Sequence, residues 1–278
     1  MSERDEKLSS LSHTTRKKAL QLSRWIASDE SFQKANLLGD VFETGRSQER
    51  QNELVRQGNS WIGRSPHQNG TAFDLVLCYK LFKPLRITKF FWDNSKFYER
   101  LQEKAHELGL FSYGLVYKKD AFHFELPIIW QPESDCYAYA VINALRWKDT
   151  EWRRLGKSVA AVRAERLQQY TKKKNLGGTL QVAKDLLWIC DFEEVEPEDI
   201  ENTGCYVVQT RNVFLGDDKV AKQKERVRVG QGIAGHATAV AEKDKKGIWT
   251  LNSHEKTYPA QYCISDFSQI SKAYKIII

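Results

Sequence analysis

The sequence predicts an α+β protein of two domains, and three observations lead to this expectation. The chain has 278 residues, which is long for a single domain. Both halves alternate helix-like segments with short runs rich in β-branched and aromatic residues. Each half also carries its own cluster of chemically reactive side chains. We expect a polar leader at residues 1–19, a first domain at 20–127 and a second domain at 128–278.

Local signals predict the elements of the first domain in order. They are helices at 23–35, 48–57 and 95–108, and strands at 39–44, 71–81, 115–117 and 121–126. The run at 71–81 has the β-branched and aromatic character of a central strand, and it carries Asp74. The last two strands are expected to pair as a hairpin that presents Asp120 and His123.

The second domain is predicted from signals of the same kind. Its elements are a helix at 136–147, a basic helix from about 158 that ends at Gly177–Gly178, and strands at 235–240, 248–251 and 273–278. Thr179 is expected to cap a further helix. The polar stretch at 211–234 is predicted to be a loop beside the cysteine of this domain.

Composition excludes some classes of protein. Hydrophobic residues make up 41% of the chain, which is enough to form hydrophobic cores. The sequence contains no run of 18 apolar residues, which is about the length needed to span a membrane. Residues 1–18 are polar and lack the apolar core of a signal peptide, so we expect synthesis in the cytosol without a secretion signal. The five cysteines are scattered and odd in number, which argues against a disulfide framework.

The charge balance favours an anionic partner. The formal net charge is +7 and the pI is about 9.0, which suits an acidic cell-wall polymer or a nucleic acid. The positive charge is spread over the chain, and no nucleic-acid-binding motif is present. We therefore expect no specific nucleic-acid partner.

The most specific signal is a split set of residues in the first half. The pattern Ser-x-His-x-x-Gly-x-Ala-x-Asp at 65–74 supplies His67 and Asp74, and the pattern Asp-x-x-His at 120–123 supplies His123. Two imidazoles and one carboxylate form the ligand set of a catalytic zinc whose fourth position is left to water. These three residues are the predicted zinc ligands.

Asp120 is the predicted general base. It precedes His123 by three residues, close enough to reach the attacking water without binding the metal. In this interpretation zinc lowers the pKa of water to about 7 and polarises a scissile carbonyl. Asp120 takes the proton of the water and returns it to the leaving amine.

These two patterns resemble the zinc peptidases that cut D-amino-acid bonds in peptidoglycan. That family includes D-Ala-D-Ala carboxypeptidases and dipeptidases and the L-alanyl-D-glutamate endopeptidases of phage lysins, and the resemblance runs from about residue 42 to 126. It implies a small α+β fold with zinc on an antiparallel sheet. It also implies an arginine that holds the substrate or its developing oxyanion, which is Arg46, with Arg50 as the alternative. The stretch at 111–117 departs from the family's usual Gly-Gly-x-Trp-like sequence, so the bond that is cut stays open.

The second half contains the residues of a thiol hydrolase. Cys136 is expected at a helix N-terminus, where the helix dipole favours the thiolate. His236 begins one strand and Asn252 ends the next, so the two can meet across a short turn. Cys136 is the predicted nucleophile, His236 its acid and base, Asn252 the residue that orients the imidazole, and Gln131 an oxyanion donor.

This order of residues resembles the papain-like superfamily over roughly residues 128–278. The spacing from Gln131 to Cys136 and the sequence Trp-x-Leu-Asn-Ser look most like Josephin-type deubiquitinases, while bacteriocin-leader peptidases and CHAP amidases share the same logic. The resemblance implies an α+β fold in which the helix that bears the cysteine packs on an antiparallel sheet.

Together the two clusters predict a two-headed hydrolase, and several readings stay open. If both heads cut peptidoglycan, the protein is a phage-type lysin that is released from the cytosol through a pore and then acts on the cell wall. Alternatively, the cysteine head processes a protein substrate, either a ubiquitin-like partner or a precursor. In a third reading one head is degenerate and serves only in binding.

Overall fold

The computed structural model describes residues 7–60, 62–79, 90–91, 96–117, 120–130, 136–171, 175–189, 191–211, 236–253 and 261–278. The chain forms two compact units, Met1–Leu126 and Pro127–Ile278, called the first and second unit below. Each unit combines helices with one antiparallel sheet, which confirms the predicted α+β class. Among the described residues, no helix is long and apolar enough to cross a membrane.

Helices and strands follow one another along the described part of the first unit after residue 12. They are α1 (His13–Ser28), α2 (Glu30–Lys34), β1 (Leu37–Glu43), α3 (Gln48–Arg56), a 3-10 turn (Pro66–Asn69), β2 (Ala72–Tyr79), β3 (Phe90–Phe91), α4 (Lys96–Glu107), β4 (Phe111–Ser112), α5 (Tyr113–Tyr117) and β5 (His123–Glu125). The sheet order is β1-β2-β5-β4, and β3 pairs with the other end of β2. Since β2 is buried along most of its length, it forms the centre of this unit.

The register of this sheet places charged residues side by side. A bulge between Val41 and Glu43 brings Glu43 opposite Asp74 of β2, and Asp74 is in turn opposite His123 of β5. Residues that face each other across antiparallel strands point to the same side of the sheet. Three ionisable side chains from three strands therefore share one face at one end of β2.

The predicted leader, residues 1–19, belongs to the first unit, and its residues from 7 onwards are described. Leu8 and Leu11 are buried, and Ser12 N–H donates to the Gly70 carbonyl over 2.9 Å. Helix α1 then packs on β1, where a side-chain Cβ at Gly39 would come within 2.5 Å of Ile26. Burial of these apolar side chains ties the segment to the sheet.

Residues 115–117 are helical, so the strand predicted there is wrong. The short strand that pairs with β5 is Phe111–Ser112 instead, and the chain then turns into α5. In α5 the rings of Tyr113 and Tyr117 pack one turn apart with centroids 5.3 Å apart. Gly114 lets Gln102 of α4 approach closely, which a side chain at 114 would prevent. These tertiary contacts override the β preference of the segment.

The second unit places helices beside a six-stranded antiparallel sheet. Its elements are α6 (Cys136–Lys148), α7 (Thr150–Arg154), α8 (Lys157–Tyr170), α9 (Leu176–Leu187), β6 (Asp191–Val195), β7 (Cys205–Thr210), β8 (His236–Asp244), β9 (Gly247–Leu251), β10 (Cys263–Ile264) and β11 (Ile270–Ile277), with 3-10 turns at Pro197–Asp199 and Phe267–Gln269. The sheet order is β10-β9-β8-β7-β11-β6. Helix α6 is buried along nearly its whole length and packs against β7 and β8.

Two buried arginines bond backbone carbonyls around the carboxyl end of α6, and Arg153 is the one that caps its last turn. Arg146 donates to the carbonyls of Pro127 and Leu155, and Arg153 donates to the carbonyls of Arg146 and Trp147. The last carbonyls of a helix have no partner within the helix and carry partial negative charge. The Arg153 guanidinium supplies both the donors and the opposing charge there.

The Gly177–Gly178 pair does not end a helix, contrary to the sequence prediction. Helix α8 already ends at Tyr170, and both glycines lie in the first turn of α9. The cap of α9 is Asn175, whose Oδ1 accepts from Gly178 N–H over 2.6 Å, so Thr179 is not the cap. The Asn175 signal outweighs the helix-breaking tendency of the two glycines.

Candidate functional site: a His-His-Asp centre and a Cys-His-Asn centre

The predicted metal ligands come together at the charged end of β2. His67 is carried by the 3-10 turn, Asp74 by β2 and His123 by β5. The turn begins with a capping box in which Ser65 and Gln68 bond each other's backbone, and it ends at Gly70 with φ +65°. A left-handed residue at this point returns the chain directly into β2. Both imidazoles are buried, and the Asp74 side chain is 17% exposed.

Three ligand atoms form a nearly equilateral triangle. The distances are 3.2 Å from His67 Nε2 to His123 Nδ1, 3.3 Å from His67 Nε2 to Asp74 Oδ1, and 3.1 Å from His123 Nδ1 to Asp74 Oδ1. Ligands around a tetrahedral zinc with bonds of about 2.0–2.2 Å stand about 3.3–3.6 Å apart. The observed separations lie at or just below that range, and the triad is a group that could hold a metal ion.

Buried acceptors behind the imidazoles set which nitrogen faces the centre. His67 Nδ1 is 2.8 Å from the Thr44 carbonyl, which can only accept a hydrogen bond, so this nitrogen carries the proton. His123 Nε2 is 3.3 Å from Oε2 of Glu125, which is fully buried. The opposite nitrogens of both rings thus point at the centre. Such partners orient metal-binding histidines and raise their basicity.

His123 and Asp74 each shift the pKa of the other. Burial lowers the pKa of His123, but the hydrogen bonds and charges of Asp74 and Glu125 outweigh it and raise the pKa to about 10. Burial raises the pKa of Asp74, but its bonds to the two imidazoles outweigh burial and hold that pKa below its usual range. The Asp74 carboxylate is therefore ionised at neutral pH and can bind a metal directly, whereas His123 must first lose a proton.

Asp120 lies in the turn that leads into β5. Its carbonyl accepts from His123 N–H over 3.3 Å, and its φ of +52° is the left-handed conformation that Asp adopts more readily than most residues. Partial loss of hydration raises the pKa of the Asp120 carboxyl, and the charge of Asp74 adds to the rise, while His123, His67 and Arg46 oppose it. A carboxyl with a raised pKa, coupled to the triad, suits proton transfer.

Arg46 lies beside the triad, and Arg50 does not. The Nη2 atom of Arg46 is 3.9 Å from Asp74 Oδ2, and its side chain is only 10% exposed. Both Nε and Nη2 bond the Glu43 carboxylate, and Nη1 donates to buried Gln51 over 2.9 Å. Arg50 instead pairs with Glu53 on the surface of α3. Of the two arginines considered, Arg46 is the one placed at the site.

Sequence reasoning missed the residues that support the centre. Glu43 and Gln51 hold the Arg46 guanidinium, Glu125 holds His123, and the ring of Tyr113 packs edge-on against His123 with centroids 5.3 Å apart. Glu125 follows His123 by two residues in a strand, and this spacing was the available signal, since alternate residues share a face. Glu43 had no such signal because its position depends on the bulge in β1.

The second unit brings Cys136, His236 and Asn252 into one place. Cys136 begins α6, and its Sγ accepts a hydrogen bond from Ala237 N–H over 3.2 Å. His236 Nε2 is 2.7 Å from Asn252 Oδ1. All three residues are buried.

The register of β8 and β9 explains how His236 and Asn252 meet. Ala239 of β8 pairs with Leu251 of β9. If this antiparallel register is extended by one residue, Asn252 lies opposite Thr238 and diagonally across from His236, on the same face of the sheet. Gln131, the predicted oxyanion donor, lies outside the described residues. The predicted loop at 211–234 also falls outside them, except for Arg211, which follows β7.

Comparisons with known proteins add little to this geometry. No family model matches the chain, and no curated protein matches it. Among solved structures, the L-Ala D-Glu endopeptidase ChiX of Serratia marcescens is similar at 26% identity over 45% of this chain and 86% of that chain, with a TM-score of 0.30. A TM-score of that size does not establish a common fold.

Proposed function

We propose that the first unit is a zinc peptidase that cuts peptidoglycan stem peptides, at a D-Ala-D-Ala or an L-Ala-D-Glu type of bond. The observation that carries this proposal is the triangle of His67, Asp74 and His123, with 3.1–3.3 Å between ligand atoms. The peptidoglycan substrate follows from the residue patterns at 65–74 and 120–123, which resemble those of D-amino-acid zinc peptidases. The net charge of +7 suits an acidic cell wall.

The chain's own residues divide the work of hydrolysis. His67, Asp74 and His123 would hold a zinc ion, which would polarise the scissile carbonyl and make the attacking water more acidic. Asp120 accepts the proton of that water and passes it to the leaving amine nitrogen. Arg46, kept in place by Glu43 and Gln51, stabilises negative charge on the substrate.

The test is a digest of purified cell wall by the zinc-loaded protein, with products identified by mass spectrometry. We expect new amino termini or free D-alanine, depending on the bond. Asp120→Ala should retain zinc and lose this release, while the surface variant Arg50→Ala is the matched control and should cut normally. If the wild type releases neither product, the wall-lytic proposal fails.

We propose for the second unit a thiol hydrolase activity, which is supported by the His236–Asn252 hydrogen bond and by the bond from Ala237 N–H, next to His236, to Cys136 Sγ. His236 takes the proton of the Cys136 thiol, the thiolate attacks a substrate carbonyl, and the imidazole then protonates the leaving group. Asn252 accepts the hydrogen bond of Nε2–H and so leaves Nδ1 to exchange the proton. Water finally hydrolyses the acyl-enzyme.

The substrate of this second head is either the cell wall or a protein. A ubiquitin-based electrophilic probe separates the two, with Cys136→Ala as the unreactive reference and Cys263→Ala as the control for a cysteine outside the site. Labelling that depends on Cys136 favours a protein substrate. Release of wall fragments that is lost in Cys136→Ala favours a phage-type lysin, made without a signal and freed from the cytosol through a pore.

A degenerate head is distinguished by its chemistry. A metal-free native protein, or one whose zinc content is unchanged in His67→Ala, would leave the first unit as a binding module only. A Cys136 thiol that reacts with iodoacetamide no faster than free cysteine would do the same for the second unit.

A further inference from the structure

A groove in the second unit lies outside both candidate sites. It has a volume of about 540 Å³ and runs between α8 and the carboxyl end of α9. Its lining includes Arg163, Arg166 and Tyr170 from α8, and Leu186, Leu187 and Trp188 from the end of α9. We call it the α8–α9 groove. None of its lining residues belongs to the Cys136 centre.

Two aromatic side chains stand open to solvent at this groove. Trp188 is 89% exposed and Tyr170 is 62% exposed. Trp188 also has φ +58°, a conformation that bulky residues rarely adopt, at the C-cap of α9. Large exposed aromatic residues are unusual on a surface that has no partner, and Trp, Tyr and Arg are the residues most enriched at the centres of protein interfaces.

The charge of the α8–α9 groove is positive. Arg163 and Arg166 lie one turn apart on α8, and no acidic residue lines the groove within the described part of the chain. The Arg163 guanidinium rests 4.8 Å from the centroid of the Trp152 ring, which holds its direction. Across the described ranges, Arg166 makes no ion pair. Both guanidinium groups therefore suit carboxylates from outside.

We propose that the α8–α9 groove binds an acidic peptide segment of a partner protein through one apolar anchor residue. The anchor packs on Leu186 and Leu187 between the Trp188 and Tyr170 rings, and flanking carboxylates pair with Arg163 and Arg166. A nucleic acid or an anionic glycan has no apolar side chain for the leucines. A second copy of this chain carries the same net charge of +7, which does not complement a positive groove.

The experiment selects ligands for the full-length protein from a displayed library of random 12-residue peptides. Peptides that also bind the Trp188→Ser variant are removed from the library before the selection. We expect recovered sequences with a large apolar residue flanked by Asp or Glu. A selected peptide, labelled with fluorescein, should bind the Trp188→Ser variant at least about tenfold more weakly than the wild type. It should bind the Arg166→Gln variant about fivefold more weakly than the wild type, and that binding should depend less on salt concentration. Val159→Ser and Arg154→Gln, on exposed helix surfaces outside the groove, should bind as the wild type does.

Other outcomes overturn the proposal. They are recovered peptides without acidic residues, or peptides that bind Trp188→Ser as tightly as the wild type. Tighter Trp188-dependent binding of labelled oligo-dT or of an anionic polysaccharide would assign the groove to that ligand instead. Sedimentation that shows a dimer lost in Trp188→Ser would assign it to self-association. Hydrolysis by either head is measured in Trp188→Ser in parallel and should be unchanged, so failure of this proposal is separate from failure of the proposed function.

Discussion

Zinc and a proton should compete for His123, and this competition can be measured. Without metal, Nδ1–H donates to Asp74 and Nε2–H donates to Glu125, over 3.1 and 3.3 Å. Although burial lowers the pKa of His123, these partners raise it to about 10, so the ring is charged at neutral pH. The pKa of Asp74 is held low, so that carboxylate needs no deprotonation. Zinc must therefore displace one proton, from Nδ1 of His123.

The magnitude follows from this proton. Below the pKa of His123, the apparent zinc association constant should rise about tenfold per pH unit, or about 100-fold from pH 6 to pH 8. Isothermal titration in buffers of different ionisation enthalpy should show about one proton released per zinc at pH 7. A zinc affinity that is independent of pH, or a proton count near zero, would refute this account.

Glu125→Gln is the matched variant, because it keeps shape and hydrogen-bonding capacity and removes only the charge. Loss of a carboxylate behind a metal-binding histidine should cost about 10–100-fold in zinc affinity at high pH. The same change lowers the pKa of His123, so less zinc binding is lost to proton competition at low pH. The His123 pKa of the metal-free variant, followed by NMR titration of the ring protons, should therefore lie below that of the wild type. An unchanged pKa would show that Glu125 does not set the pKa of His123.

Three further predictions concern other parts of the chain. Asp120→Asn should lower kcat about 10²–10⁴-fold at unchanged zinc content, measured by wall digestion, since only proton transfer is lost. Asn252→Ala should slow alkylation of Cys136 by about 5–150-fold, because His236 loses a buried hydrogen-bond partner worth about 1–3 kcal/mol. An unchanged alkylation rate would contradict the proposed role of Asn252. Gly70→Ala should lower the free energy of unfolding of the first unit in urea by about 1–3 kcal/mol. The φ of residue 70 is +65°, and the new Cβ would lie 2.6 Å from the Ser10 carbonyl oxygen. An unchanged free energy of unfolding would show that the turn can shift.

Local patterns in the sequence predicted several elements closely. The predicted strand at 71–81 is observed as Ala72–Tyr79, with residues 80–81 outside the described part, and the helix predicted at 48–57 is Gln48–Arg56. The helix predicted at 136–147 is Cys136–Lys148. These elements carry strong periodicity or end signals of their own, and neighbouring structure agrees with them. The predictions at 115–117 and Gly177–Gly178 failed where a tertiary contact or a nearby cap outweighed the local preference.

Residue patterns alone predicted the side chains that we propose carry the chemistry: two histidines and an aspartate at metal-binding spacing, and a cysteine, a histidine and an asparagine in the order of a thiol hydrolase. Only the tertiary structure decided what surrounds them. The bulge in β1 sets Glu43 opposite Asp74, and the pairing of β2 with β5 sets Asp74 opposite His123. Glu125 and the Thr44 carbonyl then choose the imidazole nitrogens that face the centre. Strand register joins residues about fifty positions apart, and no local pattern encodes it, because it depends on how the whole sheet buries its faces.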